Sequence, residues 1–416
     1  MNTDTTYRAL LVAIIQSLDL INKLLKHHHR RVAVVAKHLA EGCGLEETEM
    51  KNLVVAASLH DLGALTVHER DQLIQLDVEN PEPHEILGAA MLEGLPYFEE
   101  VADIIKHHHL RFDSASKLDP KLANLCLLLH LADRFDVLTM NEDLTKVNFN
   151  AIYEKLQALG GVVFSKAHLE VMKIVAQKEV FWLDLEHLTM VNLLNDVLDE
   201  EVNIPVTLSL LEQFATVLSK VIDYRSEFTA THSQGVSAVA EALGRLMGLD
   251  EDVCSKLKIA GLLHDLGKVG VATELIERNG SLTVDEFAEV KSHTYFTYAI
   301  LHGIPGLKDI SMWAASHHER QDGKGYPFKL SHEQMTLPMT IVSYADVFTA
   351  LTEDRPYRKG MPIEEVMKKM DQLFQWCEYP EIRETLKQNA ITLNGIRESA
   401  QHHSFGHYQN VKNLIK

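Results

Sequence analysis

Seven residues in the second half of the chain have side chains suited to ligating a transition metal. They are His232, the pair His264 and Asp265, His293, the pair His317 and His318, and Asp346. Imidazole and carboxylate are borderline-to-hard ligands that suit iron, manganese, zinc or nickel. The last histidine pair opens the stretch HHERQDGKGYP, from His317 to Pro327, which joins metal ligands to a Gly-Lys-Gly-Tyr-Pro turn of restricted shape. Tens of residues separate the ligands, so only tertiary packing can gather them, and spacing alone does not establish a site.

The first half repeats the set. His28 is followed 32 residues later by His60-Asp61, as His232 is by His264-Asp265. HEILGAAMLEGLP, from His84 to Pro96, resembles HTYFTYAILHGIP, from His293 to Pro305. Twelve residues past each proline stands a histidine, His108 of the pair His108-His109 and His317 of the pair His317-His318. LADRFDVLT around Asp133 mirrors YADVFTALT around Asp346. Across these matches the offset drifts only from 204 to 213 residues, which small loop insertions accommodate. An internal repeat of this kind sets the architecture.

The elements that must position these residues read as helices. Val236 to Leu246 repeats apolar residues at spacings of three and four and ends near Gly248. Asp250 is placed to N-cap the next helix, which carries Leu257, Ile259 and Leu262 toward His264-Asp265. Strand-Gly-helix nucleotide motifs are absent, which disfavours a Rossmann or P-loop enzyme. The expected fold class is all-α, with the periodicity broken at DEEVNIP, residues 199–205, and domains over 1–200 and 201–416.

At this point the second half, roughly residues 206 to 400, resembles the HD-GYP domain, a subclass of the HD metal-dependent phosphohydrolases. The two-domain layout is similar to Vibrio-type proteins that hydrolyse 3′,3′-cyclic GMP-AMP. The resemblance implies two tandem HD-type domains and a ligand set of His232, His264, Asp265, His293, His317, His318 and Asp346, with Asp265 bridging two divalent ions, iron or manganese. It places phosphate binding on Lys268 in HDLGK and on Arg355 and Arg358 in DRPYR, with Asp265 and Lys268 the catalytic pair. Gly323, Gly325, Tyr326 and Pro327 build the substrate-side loop, the glycines supplying backbone angles closed to other residues. Family members with three ions carry a glutamate four residues before the first histidine. Phe228 occupies that place here and Glu227 projects about 100° away on a helix, which implies two ions.

The implied reaction is hydrolysis of cyclic di-GMP or 3′,3′-cGAMP to the linear 5′-phosphorylated dinucleotide by a metal-bridging hydroxide. The competing readings are another HD-type hydrolase of nucleotides, or a non-catalytic receptor that docks on a diguanylate cyclase or self-associates. The first half keeps seven counterparts that could ligate metal: His28, His60, Asp61, His84, His108, His109 and Asp133. It lacks the rest, with Ala64 in the place of Lys268, Leu110 in that of Glu319, no GYP loop after Asp113, and Glu142 and Thr145 in the places of Arg355 and Arg358. The expectation is a poor hydrolase without a cationic clamp, serving regulation or packing.

Composition bounds these readings. A net charge of −19 disfavours nonspecific binding to polymeric nucleic acid, which needs a basic surface. It leaves room for a small anion in a cleft whose local charge is reversed by metal ions, Lys and Arg. Four scattered cysteines without a CxxC pair suggest reduced thiols, and MNTDTTYR lacks the layout of an export signal, so a cytoplasmic location and no membrane span are expected.

Overall fold

The computed structural model describes residues 2–21, 27–65, 80–96, 98–140, 142, 144, 146–198, 205–224, 231–276, 278, 280–354 and 359–415. The chain divides into two compact units, one of Ile14–Ile204 with Leu414–Lys416, the other of Met1–Ala13 with Pro205–Asn413. Both are helical. Among the described residues the strands are Asn2–Thr6 and Pro205–Thr207, an antiparallel pair within the second unit.

In the first unit, helix α1 (His28–Cys43) packs against α2 (Glu47–Leu59) and α3 (Pro120–Thr139). In the second, α4 (His232–Leu246) packs in the same way on α5 (Glu251–Leu263) and α6 (Leu337–Thr352). The first connection is alike in both. Gly44 and Gly248 take left-handed φ values of 68° and 76°, and the residue after each donates its N–H back into the helix, Leu45 to Ala40 and Leu249 to Gly244. Glycine suits that position because no Cβ opposes the reversed angle. Asp250 occupies the N-cap of α5, but its side chain makes no capping hydrogen bond.

Several metal-type residues fall at the same structural place in both units. His28 and His232 begin α1 and α4, while His60 and His264 follow the last residues of α2 and α5. The aspartates Asp133 and Asp346 lie on α3 and α6, which are buried nearly all round. Leu128, Leu129, Leu131 and Phe135 are buried on the one helix, and Ile341, Val342, Ala345 and Phe348 on the other. At about 1.5–3 kcal/mol per buried large side chain, such surroundings fix both helices firmly. They also remove the aspartates from water, which is costly unless cations or donors meet them.

Among the described residues no helix is long and apolar enough to cross a membrane.

Candidate metal centre

In the second unit α5 ends at His264, and Asp265 leads into the 3₁₀ turn Leu266–Gly270. That turn packs on α7 (Val284–His302), which carries His293, and α8 (Lys308–Ala315) leads to His317 and His318. The contact is close: Gly267 donates its N–H to Thr297 Oγ1 at 2.8 Å, and Thr297 Oγ1 donates to the His264 carbonyl at 3.1 Å.

The outcome is one cluster around Asp265. Its Oδ2 lies 3.2 Å from His264 Nε2, while Oδ1 lies 3.5 Å from His293 Nε2 and 3.8 Å from His317 Nε2. Asp346 Oδ1 lies 3.3 Å from His232 Nε2 and 3.9 Å from His264 Nε2. Two groups of ligand atoms are thus close enough to hold an ion each: His232, His264 and Asp346, and His293, His317 and His318. Asp265 faces the two groups with different oxygens, so its carboxylate could serve an ion in each.

The outward nitrogens of these imidazoles are already engaged. Nδ1 of His264, His293 and His317 meets the carbonyls of Gly261, Val290 and Ala314 at 2.5–2.8 Å, which leaves each Nε2 lone pair for the cluster. His264 Nε2 is buried and makes no hydrogen bond among the described residues. With Nδ1 committed to the Gly261 carbonyl, its Nε2 faces carboxylate oxygens of Asp265 and Asp346, an arrangement that a shared cation fits. The donor set, the spacing and the fixed tautomers all fit a pair of divalent ions.

His232 differs from the other three, because its Nδ1 faces a carboxylate. Both oxygens of Glu353 lie 3.1 Å away, and Gln401 Nε2 donates to Glu353 Oε2 at 3.0 Å. Sequence reasoning missed Glu353, since the repeat does not point to it. In the first half the matching carboxylate is Asp136, three residues beyond Asp133, whereas Glu353 lies seven beyond Asp346. Burial opposes a charge on His232, yet Glu353 and Asp346 raise its pKa to about 10 in the metal-free chain. Burial dominates at His293, whose pKa falls to about 3, and it depresses His317 and His318 as well. Asp265 stays well below the usual carboxylate range despite its burial, held there by His264 and Lys268.

Lys268 Nζ donates to Asp265 Oδ2 at 2.6 Å from a side chain that is 23% exposed. It therefore combines contact with the cluster and access to an entering ligand. Arg355, Arg358, Phe228, Glu227 and Thr145 lie outside the described residues.

The GYP segment covers one side of the cluster. The Tyr326 ring lies 5.0 Å from that of His318, and the Tyr326–Pro327 peptide is cis. Gly323 has φ 69°, the left-handed angle expected of it. Gly325 needs glycine for another reason than the expected backbone angle: a Cβ there would lie 2.4 Å from Arg320 N and Glu319 Cα. Glu319 holds the loop from beneath, its carboxylate accepting the N–H groups of Phe328, Lys329 and Leu330 at 2.5–3.0 Å.

The first unit gathers its counterparts as closely. His28 Nε2 lies 3.3 Å from His60 Nε2 and His84 Nε2 lies 3.1 Å from His108 Nε2, with His109 in the second group. A cation does stand beside this set, though away from any entering ligand. Position 64 is indeed alanine, but Arg134, on the helix of Asp133 and 1% exposed, donates to Asp133 Oδ2 through Nε at 3.0 Å and through Nη2.

Comparison with known proteins agrees with this duplication. Residues 25–140 and residues 216–376 each match the HD domain family. The 3′3′-cGAMP-specific phosphodiesterase 1 of Vibrio cholerae is 28% identical over 377 residues, which cover 87% of this chain and 86% of that protein. A cyclic di-GMP phosphodiesterase of Pseudomonas aeruginosa is 35% identical over 184 residues, 42% of either chain. The crystal structure of V-cGAP3, a cyclic GMP-AMP phosphodiesterase of V. cholerae, shares the fold with a TM-score of 0.63 at 22% identity, covering 92% of this chain and 97% of that one. The chain is a tandem HD-domain protein, with one HD domain in each half.

Proposed function

We propose that the second half hydrolyses a 3′,3′-cyclic dinucleotide to the linear 5′-phosphorylated dinucleotide, using two divalent ions, iron or manganese. The observation that carries this reading is the placement of Asp265, with one oxygen toward each imidazole group and Lys268 on its outer edge. Ions held by His232, His264, Asp265 and Asp346 and by Asp265, His293, His317 and His318 would supply Lewis acidity toward phosphate oxygens and a water of lowered pKa.

The chain's own residues do the rest. Lys268 supports the ionised state of Asp265 and offers a positive charge to a phosphodiester as negative charge builds on its oxygens. Glu353 fixes the tautomer of His232 so that Nε2 faces inward. Tyr326, stiffened by its loop, presents an aromatic face beside His318 on which a base can stack. Arg355 and Arg358 are assigned to the phosphates by their place in DRPYR.

Of the two candidate substrates, 3′,3′-cGAMP is favoured because a relative named for it is similar over most of both chains, while the cyclic di-GMP relative cited is similar over 42% of either chain. The test is to load the full chain with Mn2+ or Fe2+, incubate it with each dinucleotide and separate the products by chromatography. Linear product that disappears on chelation supports the reading. Binding without turnover would replace it with the receptor reading, and turnover confined to other nucleotides with that of a different HD-type hydrolase.

A further inference from the structure

Glu353 faces His232 from just beyond the end of α6, and a further element stands behind it. Helix α9 (Pro380–Ile415) supplies none of the seven metal-type residues of the second half, yet its Gln401 donates from Nε2 to Glu353 Oε2 at 3.0 Å. We propose that Gln401 is a positioning residue of the second-half centre, holding the Glu353 carboxylate against His232 while Arg397 fixes the Gln401 amide. The C-terminal helix thereby sets how firmly His232 holds its ion. The inference rests on the metal-binding reading of the second half and not on which nucleotide is hydrolysed.

Each link is shaped for its neighbour. Both Glu353 oxygens lie 3.1 Å from His232 Nδ1, so neither makes a short bond that would fix the carboxylate by itself. Glu353 also follows the last residue of α6, where no further helical turn restrains it. The Gln401 amide has one orientation open to it, because a guanidinium can only donate and a carboxylate can only accept. Its Oε1 therefore accepts from Arg397 Nη1, and Nε2 is left for Glu353. Arg397 is held in turn by Asn394 Oδ1, which accepts from Nε at 3.0 Å, and by Glu398 Oε1, 3.2 Å from Nη2. Glu353, Arg397 and Gln401 are all buried, so water offers these bonds little competition.

The duplication supplies an internal comparison. Arg31 and Gly235 are counterparts, each three residues past the first histidine of its set and so on the same side of the helix. In the first half, Arg31 Nε lies 2.6 Å from Asp136 Oδ1, and Asp136 Oδ2 meets His28 Nδ1 at 2.8 Å. In the second half the place of Arg31 is a glycine, and Gln401 takes the room this leaves. A Cβ on Gly235 would lie 3.0 Å from both Cδ and Nε2 of Gln401. Both lobes thus set a nitrogen-bearing side chain behind the carboxylate that faces their first histidine. One comes from the same helix and the other from near the end of the chain. A glutamine that merely filled space would need neither a carboxylate at its nitrogen nor a guanidinium at its oxygen.

The experiment is a Mn2+ titration of the full chain, stripped by chelator, with the free ion followed by its paramagnetic resonance signal. Gln401→Met keeps the side-chain length and removes the donor, and should weaken Mn2+ binding at the site of His232 about 10-fold. In a Glu353→Ala chain the same substitution should change affinity by less than about twofold, because the carboxylate it acts on is gone. With the nucleotide the protein turns over, the Mn2+ concentration for half-maximal rate should rise about 10-fold, while kcat at saturating Mn2+ falls less than about threefold. A folded Gln401→Met chain with wild-type affinity overturns the proposal. So does an equal loss in the Glu353→Ala chain, which would make Gln401 a packing residue alone. Wild type that takes up no Mn2+ would instead overturn the metal reading itself, and this inference with it. Should Gln401→Met fail to fold by circular dichroism, Arg397→Met leaves Gln401 in place with its amide free to turn and is judged by the same two comparisons.

Discussion

Gly267 lies between Asp265 and Lys268 at the place where their turn presses on the helix of His293. A Cβ at this position would lie 1.9 Å from the His293 carbonyl oxygen and 2.6 Å from Thr297 N. Such contacts essentially never fall below 3.0 Å, so Gly267→Ala must part turn and helix by about 1 Å. The gap opens across the metal cluster, with Asp265 on one side and His293 on the other, 3.5 Å apart in the native chain. Metal ligation tolerates errors of only about 0.2 Å, and a misplacement of about 1 Å costs reacting groups roughly 100-fold. The expected result is loss of at least one second-half ion, turnover reduced about 100-fold or more, and stability lowered by about 1–3 kcal/mol. Gly303→Ala is the control, because a Cβ at the end of the same helix meets nothing within 4 Å. Metal content, dinucleotide hydrolysis and thermal unfolding should be measured on both variants. If Gly267→Ala kept its ions and hydrolysed substrate within threefold of wild type, the turn and helix would not be a rigid frame for the site. Gly63, whose Cβ would lie 2.1 Å from the His84 carbonyl oxygen, packs its turn against the helix of His84 in the same way.

Three further outcomes are expected. Lys268→Ala should lower kcat by about 10²–10³ while retaining the ions; loss of metal, or unchanged kcat, would contradict its assignment. In the metal-free chain His232 is protonated up to about pH 10, and ligation needs the neutral ring, so Mn2+ affinity of the second half should climb steadily with pH across the range from about 6 to 9. Glu353→Gln removes the charge that raises His232, so the climb should level off within that range; parallel curves for the two proteins would count against this pairing. Glu85 is raised to about 7 chiefly by burial, opposed by the N–H of His109. Between its unfolded pKa near 4.5 and that value the folded state keeps a proton that the unfolded chain has lost, so stability falls as pH rises through the window. Glu85→Gln has no proton to lose, and in the metal-free protein it should gain on wild type by up to about 3 kcal/mol between about pH 4.5 and 7, then stay level. A difference in melting that did not change with pH would refute this.

How much of this was legible in the sequence follows from how narrowly each role constrains residue type. Metal ligation admits few side chains, so the sets around His264-Asp265 and His60-Asp61 could be read directly and aligned by their repeat. The outward support of the ligands is less constrained, because any acceptor that reaches Nδ1 will serve. It comes from Glu353 beyond the end of one helix and from Asp136 one turn along another, and no spacing rule covers both. Arg134 was missed for a similar reason: the cation on the aspartate pair moved from the turn, where Ala64 stands, to the helix of Asp133. Gly325 was read as a matter of backbone angle, whereas close packing against Glu319 and Arg320 is what demands it. The pairing of Asn2–Thr6 with Pro205–Thr207 left no trace in the pattern, since NTDTT shows no apolar alternation and its partner is some 200 residues away.

The grip of Glu319 on three successive main-chain N–H groups carries an evolutionary consequence. Because this clasp reads only backbone, side-chain identity at 328, 329 and 330 is set by packing and not by the clasp, which excludes only proline, with no N–H to offer. Lys329, at φ 57°, would even welcome asparagine or glycine. The exposed position 329 above all can thus be re-lettered while the clasp on the loop stays closed and the histidines and aspartates it adjoins keep their places.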